Sequence, residues 1–268
     1  MQFGGIQIFC FAASYGVAWL METLHALRPR KSLIIVATVF GTAGLLAQTL
    51  YLIAQRVALD SQPGTLLYLS WILAVFYLCG SIHHRRLAWG VFVLPVVLGL
   101  IGLSAWRGLS SSPASAEVDP VWRMVHVAFF VFAAVGVCVA FVASVMYLVQ
   151  ARRLRAKTLP GQGLRLLSLE RLEMMNRMGI NLAFPLLTVG VVIGLALLFQ
   201  ERGRIQGWTD PRIVSSILLW VVFAMVLYLR YGRHLGGRRV AQWTIVAFVF
   251  LLCTLLTSHH SSVAGGGP

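Results

Sequence analysis

Residues 122–150 read WRMVHVAFFVFAAVGVCVAFVASVMYLVQ, and no Lys, Arg, Asp or Glu follows Arg123 until Arg152. A stretch this long and this apolar has one stable setting. A membrane-spanning helix needs about 20 mainly apolar residues, because each rises about 1.5 Å through a hydrocarbon core of about 30 Å. Hydrocarbon offers the backbone no hydrogen bonds, so the chain must satisfy its own, and helix does that within one segment. The run would extend about 43 Å at that rise. It must tilt or project, which is expected to bring its N-terminal turns, including His126, to a membrane surface.

Seven more runs of the same kind flank it, at residues 2–24, 32–54, 64–82, 87–105, 178–200, 211–230 and 240–258. The expected fold is therefore all-α: a polytopic helical bundle of about eight transmembrane helices, forming one integral membrane domain over residues 1–268. Composition agrees. Hydrophobic residues make up 59% of the chain and charged residues 11%, where a soluble domain carries about a quarter charged; the mean hydropathy is +0.82. The first run has no basic segment before it and no small-residue cleavage site after it, so it reads as a membrane helix rather than a removed signal.

The net charge of +14 does not indicate a nucleic-acid partner. The basic residues sit in short clusters between the apolar runs, as membrane topology requires. One set of alternate loops and helix ends carries 16 of the 22 Lys and Arg, and the other carries 6. The richer side is expected to face the cytoplasm, which leaves both termini outside. The segment 151–177 is the longest cytoplasmic connection. Pro160, Gly161 and Gly163 interrupt it; Ser168 suits a helix N-cap, with Glu170 in the first turn. Residues 169–178 are expected either as an amphipathic helix on the membrane surface or as a solvated connector.

The four cysteines, Cys10, Cys79, Cys138 and Cys253, lie inside apolar runs without a CxxC pair, so they read as small apolar core residues. Topology sorts the seven histidines. His25, His83, His84 and His234 fall among arginines on the cytoplasmic side and read as interfacial. His126, His259 and His260 are far apart in sequence but fall at one outer depth. Two neutral imidazoles there suit axial ligation of haem iron, a proton relay or a zinc site. The outer loop 201–212 adds Gly207-Trp208-Thr209-Asp210-Pro211. Locally, Trp208 suits an interfacial belt and Asp210-Pro211 a helix start; functionally, an indole face and a carboxylate suit a planar ligand with polar edges. Within the runs, Glu22 stands three residues before His25, and Gln48 and Asn181 suit interhelical hydrogen bonds. No chain of carboxylates crosses the membrane and no inverted pair of broken helices is evident, which disfavours a proton-coupled transporter.

Several segments taken together resemble a known family. Val125-His126-Val127 is followed by Met146-Tyr147-Leu148; Ser168-Leu169-Glu170-Arg171-Leu172 by Phe184-Pro185-Leu186-Leu187-Thr188-Val189-Gly190 and Gly194. Trp208-Thr209-Asp210-Pro211-Arg212 is followed by Trp220, Tyr228-Leu229-Arg230, Gly237-Arg238-Arg239 and His260-Ser261. In order and spacing these are similar to the cytochrome c assembly proteins of the CcsA/CcmC/CcmF group, above all its small HemX-like and YpjD-like members, over residues 66–262. The resemblance implies a haem-handling protein of a bacterial cytoplasmic membrane that presents haem b, held non-covalently, at the outer face. It implies His126 and His260 as axial ligands, with His259 a rival to His260, and Trp208 and Asp210 as haem-contact residues. Implied partners are haem, apocytochrome c or another cytochrome c maturation protein, and the lipid bilayer; no nucleic acid and no catalytic residue are implied. The chain would then be a component of a haem-ligation system rather than an enzyme by itself. The family's tryptophan-rich segment is shortened here to one Trp-x-Asp-Pro. The HemX-like members imply an alternative, a regulatory or scaffold subunit without haem chemistry, in which the segment 151–177 matters more.

Overall fold

A computed structural model describes residues 7–28, 30–83, 89–107, 120–156, 166–200, 211–232 and 236–257. Among the described residues there are eight α-helices and no strands: α1 Ile8–Leu27, α2 Lys31–Ala54, α3 Gln62–His83, α4 Gly90–Arg107, α5 Pro120–Arg155, α6 Leu169–Gln200, α7 Pro211–Tyr231 and α8 Gly237–Thr257. The chain is a polytopic helical membrane protein. Six of these helices are long and apolar enough to cross a membrane, and α4 is a shorter apolar helix. α1 falls outside that set because Glu22 and His25 dilute its C-terminal turns.

Two helices exceed the expected spans. α5 has 36 residues, about 54 Å, and α6 has 32, about 48 Å, against a core of about 30 Å. Residues 169–178 are neither a separate surface helix nor a connector: they are the first turns of α6. The reason is local and periodic. The backbone N–H of Arg171 is capped by Ser168 Oγ at 3.4 Å, and no glycine or proline follows until the apolar stretch is under way. Leu172, Asn176, Ile180, Ala183 and Leu187, all buried, then repeat at helical spacing across the supposed boundary.

The described helices group into two compact units. The first comprises α1 to α4 with the last turns of α5 and the first turn of α6; the second comprises the rest of α5 and α6 with α7 and α8. In the first unit, α1 and α2 approach closely because Gly44 faces the Tyr15 ring; a Cβ there would stand 3.0 Å from it. The fully buried Gln48 of α2 accepts a hydrogen bond from Tyr15 Oη at 2.9 Å and donates to the Leu67 carbonyl at 3.1 Å and Ser70 Oγ at 2.8 Å. One amide thus joins three helices, as an apolar surround demands of a buried polar group.

The second unit is an up-and-down bundle. α5 and α6 cross at Gly136 and Gly179, where each backbone carbonyl occupies the space that a side chain on the other glycine would need: a Cβ on Gly179 would lie 2.6 Å from the Gly136 oxygen. Phe141 of α5 stacks on Phe248 of α8, with centroids 3.9 Å apart. At the arginine-rich end, the two N–H groups of Asn176 Nδ2 in α6 are shared among the Ala140 carbonyl (3.2 Å), Ser144 Oγ (2.8 Å) and Thr244 Oγ1 (3.1 Å), and its carbonyl accepts from Arg230 at 2.7 Å. Arg230, with only 8% of its side chain exposed, also lies 3.9 Å from Glu173. All four helices meet on this one amide, which replaces the hydration that the guanidinium loses.

Replacing Asn176 by Ala removes one hydrogen-bond partner each from Arg230, Ser144 and Thr244, and should destabilise the protein by about 1–3 kcal/mol, read as a lower thermal midpoint in detergent. Gly179→Ala should cost a similar amount, about 1–3 kcal/mol, since the added methyl meets backbone rather than a side chain that can turn aside.

Candidate functional site

His126 stands in the second turn of α5, at the end of the second unit opposite Asn176. Its Nδ1 lies 2.7 Å from the backbone carbonyl oxygen of Gly190 in α6. A carbonyl can only accept, so Nδ1 carries the proton. In the neutral imidazole, Nε2 is then left with its lone pair, and it makes no hydrogen bond among the described residues. A ring held through one nitrogen with the other bare is the arrangement by which protein carbonyls orient metal-binding histidines.

The approach depends on the spacing of two glycines. Gly190 and Gly194 are one helical turn apart on α6. A Cβ on Gly194 would lie 2.8 Å from His126 Cε1 and 3.2 Å from Nδ1, so the imidazole occupies space that any larger residue would fill. Gly190 lets α5 come near as well: its Cβ position is 3.7 Å from Phe129 Cβ and 4.0 Å from the His126 carbonyl oxygen. Sequence reading quoted both glycines but gave them no role. The four-residue spacing of two glycines inside an apolar run, the mark of close helix approach in membranes, was the available signal.

The helices of this unit place their ends together. Thr254 Oγ1 of α8 donates to the Ser215 carbonyl near the start of α7, and Trp220 Nε1 of α7 donates to Thr188 Oγ1 of α6 at 3.0 Å. The C-terminal end of α6, the start of α7 and the C-terminal end of α8 therefore lie at the end of the unit that holds His126. Of the other expected site residues, Trp208 and Asp210 fall between α6 and α7, and His259 and His260 follow α8. All four lie outside the described residues. Among the described residues no group of three or more His, Cys, Asp or Glu converges as a metal cage, so the described part of the site presents one imidazole. His25 is half-buried, with Nδ1 3.0 Å from the Arg30 carbonyl, as suits an interfacial residue; His84 and His234 lie outside the described residues. Asn181 does pair across helices, with Tyr231 of α7, through contacts of 2.7 and 3.0 Å on an exposed face.

Comparison with known proteins bears on this site. The family model for cytochrome C assembly protein matches residues 60–262, about three quarters of the chain. A cytochrome c biogenesis protein CcsA from Gloeobacter violaceus is 25% identical, with 95% of this chain and 94% of that protein covered. Protein HemX from Brevibacillus brevis is 26% identical over 78% of this chain and 79% of its own length. A CcsA from Synechococcus elongatus is 25% identical over 80% and 83%. No solved structure matches. The family match spans all the helices that build the His126 end of the second unit, and the chain belongs to the cytochrome c assembly protein family.

Proposed function

We propose that this protein handles haem at the outer face of a bacterial cytoplasmic membrane, holding it as cargo for ligation to apocytochrome c thiols with a partner maturation protein. The observation that carries the reading is the His126 imidazole, whose Nδ1–H is engaged by Gly190 while Nε2 makes no hydrogen bond among the described residues. That donor set fits haem, whose iron accepts neutral imidazole nitrogens on its axial positions. His126 would supply one nitrogen and His260, or its neighbour His259, the other. Trp208 would offer an aromatic face to the porphyrin, and Asp210 would address its polar edge. The haem would be b-type and non-covalently held until transfer. Within this chain, α6 does the positioning: its carbonyl sets the tautomer and its missing side chain at Gly194 sets the ring's place.

A second reading has its own support in the HemX relative, which covers most of the chain. There the protein would be a regulatory or scaffold subunit, and the connection between α5 and α6 would carry the function. Shortening residues 157–165 separates the two readings: loss of the cellular phenotype with haem content intact favours regulation.

Purified protein should show a haem absorbance band that is lost in the His126→Ala, His260→Ala double variant; unchanged haem content in that variant would remove the haem reading. Gly194→Ala, which pushes on the ring without deleting it, should weaken haem affinity by about 10–100-fold, the usual effect of disturbing what orients a ligating histidine, measured by haem titration followed in the visible spectrum.

A further inference from the structure

The first unit contains a buried acid that the haem reading does not use. Glu22 of α1 is 1% exposed. Its Oε1 accepts from Ser81 Oγ at 3.1 Å and from Tyr77 Oη at 3.3 Å, both on α3. Its Oε2 is buried and has no hydrogen-bond partner. α4 closes the remaining side: a Cβ on Gly90 would lie 2.8 Å from Glu22 Cγ and 2.6 Å from the Tyr77 ring. The neighbouring indole of Trp89 packs against Gly80, next to Ser81, and its buried Nε1 is also unpartnered.

The asymmetry is informative. A carboxylate carries charge on both oxygens, and each needs donors when water is excluded. A neutral acid differs: its carbonyl oxygen accepts and its hydroxyl oxygen carries the proton. Two hydroxyl donors on Oε1 and none on Oε2 suit the acid better than the carboxylate, because an unpaired buried hydroxyl costs far less than an unpaired buried charge. Among the described residues no Lys or Arg pairs with Glu22. The titratable groups that face it are His25 on α1 and Tyr77 on α3; α4 contributes none, and α2 meets the Tyr77 ring with Gly41. Among the described residues no further ligands gather here that would hold a metal cation.

We propose that Glu22 is an intramembrane proton-binding site, held as the neutral acid and exchanging its proton with the arginine-rich, cytoplasm-facing end of the first unit. His25, three residues on and so one turn along α1, is the exchange partner. Its Nδ1 donates to the Arg30 carbonyl, so Nε2 is the acceptor. Because Oε2 has no direct partner, the transfer runs through an intervening water: the Oε2–H bond of Glu22 breaks as that water takes the proton, the water gives a proton to Nε2, and the result is a carboxylate and an imidazolium that releases its proton to solvent. Loss of the proton places unpaired charge among three helices joined by glycine and aromatic faces, so the packing of α1, α3 and α4 responds to it.

Infrared difference spectra of the full chain in lipid, wild type against Glu22→Gln, test this. The expected result is a protonated-carboxyl carbonyl band at neutral pH, absent from Glu22→Gln, that converts to carboxylate bands as pH rises. His25→Gln should keep the band but slow its conversion after a pH jump. Carboxylate bands already present at neutral pH, and lost in Glu22→Gln, would overturn the proposal. Should Glu22→Gln fail to fold, Glu22→Asp serves in its place: a shift of the protonated band supports the site, and a shift of carboxylate bands alone overturns it.

Discussion

Hydrocarbon supplies no hydrogen bonds, and the arrangement of this protein follows from that deprivation. Backbones are forced into helices, and each polar side chain inside a span must be met by another part of the protein. Gln48 is met by Tyr15, Ser70 and the Leu67 carbonyl; Asn176 is met by Arg230, Ser144, Thr244 and the Ala140 carbonyl. Each amide fixes the mutual register of three or four helices, where apolar contacts alone would tolerate sliding. Glycines do the complementary work, since the α5–α6 crossing at Gly136 and Gly179 has room for two backbones and no side chain between them.

The same two devices build the candidate site. A polar atom, the Gly190 carbonyl, and a missing side chain, at Gly194, together hold one imidazole at the end of a long helix. The bundle's two ends are thus chemically different. One is tied by a charged and amide-rich cluster around Asn176, and the other presents a histidine whose Nε2 makes no hydrogen bond among the described residues. Membership of the cytochrome c assembly family gives the chain a role in cytochrome c assembly.

Long apolar runs were legible because their signal is cumulative: every residue in 122–150 argues for the same solvent. The boundary of α6 was not, because residues 169–178 carry Glu170, Arg171, Glu173 and Arg177, and hydropathy ends where charge begins. Helical periodicity does not end there, and a reading by spacing rather than by mean polarity would have carried the buried face back to Leu172. Asn176 was hidden by the same charges. Its importance comes from Arg230 and Thr244, which are 54 and 68 residues away, and no local pattern reports such pairings. Gln48 and Asn181 were easier, since an isolated amide in an apolar run must find a partner.

The sequence by itself determined the solvent, the helical class, the charge asymmetry of the loops and the family, because each is written in composition, run length or the order of motifs. It also singled out His126, by depth. What only the tertiary structure decided is chemical state. Which imidazole nitrogen bears the proton depends on a carbonyl 64 residues away. Whether Glu22 is surrounded as an acid or as a carboxylate depends on which hydroxyls of α3 reach which of its oxygens. Those are facts about distances of about 3 Å between remote segments, and only folding brings such segments together.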